Sequence, residues 1–336
     1  MMLRHHCLRW LGLVASGALF IYVVVRANPE VILGKIRLLG WSFFLLILLS
    51  GIRNVWRTIA WSYCVPAGAR HPGVLHLFAL RLVSEALNDS MPLGPVLGET
   101  ARVLGISRII SARAGASSVV IEDLVYGFAA LTFMLSGIAL GLFSLTTPPA
   151  FLWMAASLLM GLLATALTAH WITRRWVSLL DGALDALKRV GVRWGFLARH
   201  QTQVRAVEKD IGDFFVARRG LLAFVFAVEF ATNFTGIAEA YLILKITAAH
   251  ASLTAAYVVE AANRAVQLVF SFVPFQLGIQ EGAAAATLRA FGYAASEGVS
   301  LAIIRKIRTV FWTALGLALT AGYALPQLTR EEHRAL

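Results

Sequence analysis

Met91-Pro-Leu-Gly-Pro-Val-Leu-Gly-Glu99 and, 182 residues further on, Val273-Pro-Phe-Gln-Leu-Gly-Ile-Gln-Glu281 are the two stretches that decide the fold of this chain. Each places a glutamate seven residues after a proline, and each lies in an apolar neighbourhood. Proline lacks an N–H and clashes with the preceding turn, so Pro92 and Pro274 are expected to break one helix and begin another. A helix start with free N–H groups is electropositive and holds anions. Seven residues are close to two turns, about 10 Å along the axis, which puts Glu99 and Glu281 nearly under their prolines.

The surroundings make this a repeat rather than a chance match. In both halves an apolar span precedes the motif, a polar lead-in helix runs into the proline, and another span follows. The offset lays span 41–64 over 223–246 and divides the chain into a first repeat, 38–145, and a second, 220–325, within a single membrane domain, 1–336. Of the 336 residues, 59% are hydrophobic and 14% charged, with a mean hydropathy of +0.73, which exceeds what a soluble core of this size buries. The fold class is therefore all-α membrane protein.

Apolar segments at 8–25, 38–64, 117–145, 151–171, 220–245 and 299–325 are each near the ~20 residues needed to cross a bilayer. The stretches 73–107 and 252–292 are interrupted by Pro92, Gly94, Pro95 and Gly98, and by Pro274 and Gly278, as in broken or re-entrant hairpins. About six full spans plus two such hairpins is the expected architecture. The first segment lacks an A-x-A cleavage site and is expected to stay as an uncleaved helix.

The chain has a formal charge of +12, and its segment 172–219 carries ten Lys or Arg against five acids in a pattern expected of a basic amphipathic loop. The positive-inside rule puts that loop and the amino terminus, with Arg4 and Arg9, on the cytoplasmic side of a bacterial inner membrane. On that topology the two halves run in opposite directions. An inverted repeat with discontinuous helices is an architecture of secondary transporters. Basic charge against a membrane points to anionic lipid before nucleic acid.

Candidate site residues follow from charge inside apolar surroundings, since an ionised group at the bilayer centre costs roughly 2.5–3.5 kcal/mol on insertion scales. The lead-in helices carry Arg81, Glu85, Asn88 and Asp89 in the first half and Glu260, Asn263 and Arg264 in the second, at spacings that cluster them on one helix face. Glu122 with Asp123 opens the span after the first motif, and Arg305, Lys306 and Arg308 stand at the matching place after the second, setting opposite charges at equivalent positions. Glu229 and Glu239 are secondary candidates within one span. The histidines have no partners at metal-ligand spacing, the two cysteines suggest no disulfide, and no cofactor or metal is expected.

Arg81-Leu-Val-Ser-Glu-Ala-Leu-Asn88, the Pro92-to-Glu99 motif and the Pro274-to-Glu281 motif resemble the lysylphosphatidylglycerol synthase transmembrane-region family, a flippase-like domain, over most of the chain. The resemblance implies a stand-alone member without the aminoacyltransferase domain, moving a phospholipid or related polar lipid between leaflets. An anionic or zwitterionic headgroup would sit between the two half-helix starts, contacted by Arg81 or Arg264, with Glu99 and Glu281 as gating carboxylates. Homo-oligomerisation or association with a lipid-synthesising enzyme fits that setting. Two departures stand out: Ser84 where the family tends to have glycine, and Phe275-Gln276 where a glycine pair is usual. The alternative is an intramembrane enzyme or accessory subunit of a hopanoid, glycolipid or aminoacyl-lipid pathway, with Glu99 as a general base; a scaffold acting through loop 172–219 is a third reading.

Overall fold

The break at each proline motif sets the fold. A computed structural model describes residues 37–66, 71–91, 94–144, 195–271 and 273–335, with residues 30, 34 and 69 besides. Among them are nine α-helices, one 3-10 turn and no strand. Helix α1 spans Ser42–Cys64, α2 Val74–Ser90, α3 Gly94–Ile106 and α4 Ala112–Ser144. Helix α5, Gly195–Ala217, connects to α6 Arg219–Thr247, α7 Leu253–Val269, the turn Pro274–Gln276, α8 Ile279–Ala290 and α9 Ala295–Ala335. Long helix, lead-in helix, break, short helix, long helix is thus the order in both halves.

Among the described residues, three helices are long and apolar enough to cross a membrane: Ser42–Cys64, Ala112–Leu142 and Arg219–Thr247. They correspond to three of the six expected spans. The expected spans at 8–25 and 151–171, and the part of the basic loop from 172 to 194, lie outside the described residues. The sixth, 299–325, falls within α9, whose Arg305, Lys306 and Arg308 break its apolar run.

The first interrupted stretch folds as a tight hairpin because of its glycines. Met91 is extended (φ −116°, ψ 144°), as the residue before a proline must be, and ends α2. A Cβ at Gly94 would overlap the backbone of Asn88, and one at Gly98 would lie 2.7 Å from the Ser84 carbonyl oxygen. Glycine at these two positions, four residues apart, lets α3 lie directly on α2, the small-residue packing that replaces the hydrophobic drive in lipid. Pro92 itself lies outside the described residues.

The second break is built differently from expectation. Pro274 opens a 3-10 turn, and α8 starts only at Ile279, after Gly278 at φ 79°. Glu281 is therefore in the first turn of its helix rather than two turns in. Phe275 and Gln276 both have left-handed φ, 51° and 47°. That region favours glycine.

Contacts between halves recur with the halves exchanged. A Cβ on Gly137 of α4 would strike Ala261 of α7, and one on Gly316 of α9 would strike Leu82 of α2. Leu82 and Ala261, like Gly137 and Gly316, stand 179 residues apart. Each lead-in helix thus packs on the closing helix of the other half, while α1 packs on α6. Two apolar cores result, one around Trp61, Leu77, Ile106, Val125 and Val225, the other around Leu46, Phe133, Ile243, Val259, Leu288 and Leu301. Exposed Leu48, Ile52 and Val55 of α1 and Val310 and Phe311 of α9 give those helices apolar outer faces.

Helix α5 supplies order to part of the basic loop. Its Ile211 and Phe214 join the first core, and Arg113 at the start of α4 makes a two-pronged pair with Asp210 at 2.5 and 2.7 Å.

Candidate functional site

Charged side chains converge in two clusters, one per half. In the first, Glu122 of α4 is fully buried and accepts from Arg81 of α2 at 2.9 Å, Arg102 of α3 at 2.5 Å and Arg57 of α1 at 3.4 Å. Arg102 also pairs with Glu99 and with Asp123, both at 2.9 Å. Arg57 reaches Glu229 of α6 at 3.3 Å and Glu85 of α2 at 3.7 Å. Aromatic faces complete the guanidinium surroundings: Arg57 lies 3.9 Å over the Tyr126 ring and Arg102 4.3 Å over Trp61.

The second cluster repeats this with signs reversed. Arg305 of α9 pairs with Glu260 of α7 at 2.7 Å and lies 4.0 Å from Glu239 of α6; Arg308 also pairs with Glu239. Arg57 and Glu239 are 182 residues apart, Arg81 and Glu260 are 179, and Glu122 and Arg305 are 183. Arg57 and Arg81 on Glu122 in the first half are matched by Glu239 and Glu260 on Arg305 in the second, with the signs exchanged, and Arg102 is a third partner of Glu122. Gly236 makes room for this, because a Cβ there would overlap the Glu260 carboxylate, and its carbonyl accepts from Arg305 at 2.7 Å. Arg264 pairs with Glu260 at 3.1 Å and donates to Tyr126 of α4 at 3.0 Å, tying the clusters together.

A small cavity with about 40 Å³ of free space, open on one side, lies beside the second cluster. Its wall carries Arg53 of α1, Glu239, Glu260, Asn263, Arg264, Gln267, Gln280, Arg305 and Arg308. Gln280 donates to Gln276 at 2.6 Å, so the strained turn holds part of the wall.

The expected site residues separate into groups. Glu260, Asn263, Arg264 and Arg305 line the cavity. Arg81, Glu85 and Glu122 belong to the ion-paired first cluster instead, and Asn88 is exposed at the end of α2. Glu99 and Glu281 are unlike each other: the Glu99 side chain is 41% exposed beside Arg102, whereas Glu281 is fully buried on Lys306 and outside the wall. The cavity is not between the two half-helix starts. Helix α8 contributes Gln280, Ala283 and Ala284 to it, and no described residue of α3 lines it.

Sequence reasoning missed Arg53, Arg57, Arg102, Gln267 and Gln280. Arg53 and Arg57 had a legible signal, since two arginines four residues apart inside an apolar span share a face and need protein or water opposite them.

A helical membrane protein with paired charges buried between its spans is the class these features define. The chain matches the profile of the family described as the lysylphosphatidylglycerol synthase TM region over residues 9–316, and it belongs to that family. Membership carries a membrane, lipid-related role. Comparison with curated proteins and with solved structures returns no match.

Proposed function

We propose that the chain is a lipid transporter of the bacterial inner membrane, moving a polar lipid between leaflets with its headgroup in the cavity of the second half and its acyl chains in the bilayer. The observation that carries this is the cavity wall: four arginines, two glutamates and three amides facing one space among helices of a membrane protein. A polar cavity at that depth is costly unless a polar ligand or water fills it. The exchange of contacts and of charge sign between the halves supports an inverted repeat, in which swapping the conformations of the two halves opens the cavity to alternate sides. Glu122 with its three guanidiniums is then a structural hub, and Arg264 and Arg305 contact the headgroup.

The test is translocation of headgroup-labelled phospholipids in proteoliposomes. Native protein is expected to move label across the bilayer, and Arg264→Gln and Arg305→Gln to lose that movement while remaining folded. Undiminished movement in both variants would sink the assignment of the cavity, and none with any polar lipid would sink transport itself.

A further inference from the structure

Charge in the cavity wall is unbalanced. Arg53, Arg264, Arg305 and Arg308 face Glu239 and Glu260, four guanidiniums against two carboxylates on the wall itself. Arg264 and Arg305 are held by Glu260, and Arg308 by Glu239. Arg53 differs, with no carboxylate within ion-pair distance among the described residues; Glu85 and Asp89 of α2 and Glu239 of α6 act on it only through longer-range charge. Among the described residues it is also the one contribution to the wall from α1, a first-half helix. The buried Nε of Arg305 has no hydrogen-bond acceptor among the described residues, and the amides of Asn263, Gln267 and Gln280 lie on the same wall.

We infer that the cavity takes a group bearing two negative charges, a phosphate monoester or a diphosphate, and that Arg53 is the guanidinium that binds it. A phosphate monoester at neutral pH carries about −1.5 to −2 and three acceptor oxygens, enough to engage a guanidinium fork and the adjoining amides. A phosphodiester headgroup carries one charge and leaves the other unmatched. Binding through Arg53 also draws α1 towards α7 and α9, coupling occupancy to the relation between the halves. This inference rests on the reading of the cavity as a headgroup site.

The experiment measures binding of dioctanoyl phosphatidate, dioctanoyl phosphatidylglycerol and inorganic phosphate to the full-length protein in phosphatidylcholine nanodiscs, for native protein, Arg53→Gln and Arg53→Lys. Phosphatidate is expected to bind at least about tenfold more tightly than phosphatidylglycerol, as one further charged hydrogen bond gives. Arg53→Gln should remove that preference and Arg53→Lys should restore part of it. Equal affinity for both lipids, each weakened in Arg53→Gln, would overturn the two-charge inference and leave the headgroup reading standing. Inorganic phosphate bound as tightly as phosphatidate would keep the two-charge inference and overturn the lipid reading. Unchanged affinities in Arg53→Gln would overturn the role of Arg53.

Discussion

Replacing Glu122 with glutamine should destabilise the protein far more than replacing its neighbour Asp123 with asparagine. Glu122 is 0% exposed and receives three guanidiniums, two of them, Arg81 and Arg102, themselves only 2% exposed. Removing one partner of a buried pair leaves charge without compensation and costs about 3–5 kcal/mol. Asp123 is 34% exposed and pairs with Arg102 alone, which keeps Glu99 and Glu122, so solvent screening holds its loss to about 1 kcal/mol or less. At roughly 2–4 °C per kcal/mol, Glu122→Gln should lower the unfolding midpoint by on the order of 10 °C and Asp123→Asn by a few degrees at most. Thermal unfolding in one detergent, followed by tryptophan fluorescence, reads both. Equal shifts, or a Glu122→Gln protein as stable as native, would refute the account of Glu122 as the hub of the first cluster.

Other expectations follow from close contacts and the second break. Gly316→Leu should force α9 off the Leu82 carbonyl and cost about 1–3 kcal/mol, read as a lower midpoint, whereas Gly212→Ala, with open space around it, should leave the midpoint within error. Phe275→Gly should relieve a left-handed residue and raise stability by about 1 kcal/mol; a drop would show that the ring's packing outweighs the strain. Arg113→Gln should expose α5 to limited proteolysis without moving the midpoint of the membrane helices, and unchanged cleavage would show that Ile211 and Phe214 alone hold that helix.

The proline motifs made the element order legible, because proline and glycine break helices whatever packs around them. The reversal of charge at the closing helices was legible too, from Glu122 against Arg305, since an ionised group in an apolar span demands a partner. What the spacing did not reveal was how far the two breaks differ. Gly94 and Gly98 close the first hairpin on itself, while the second passes through left-handed Phe275 and Gln276 before α8 begins. The departure of these two residues from the family's glycine pair falls at the positions where the backbone favours glycine. The cavity wall draws on α8, after the second break, and on no described residue of α3, after the first, and the side-chain packing behind that is invisible in a repeat alignment. Arg53 was overlooked for a related reason: it lies inside an apolar span of the first half and acts in the second.

The most direct test of the transport claim asks whether the cavity opens to both sides. Ala283, a small wall residue on α8, is replaced by cysteine in a chain with Cys7 and Cys64 changed to serine, and the protein is oriented in sealed vesicles. Alternating access predicts that a membrane-impermeant thiol reagent modifies Ala283→Cys from either side, and that a bound headgroup slows both reactions. Modification from one side only, with the other face inert under every condition, would contradict it.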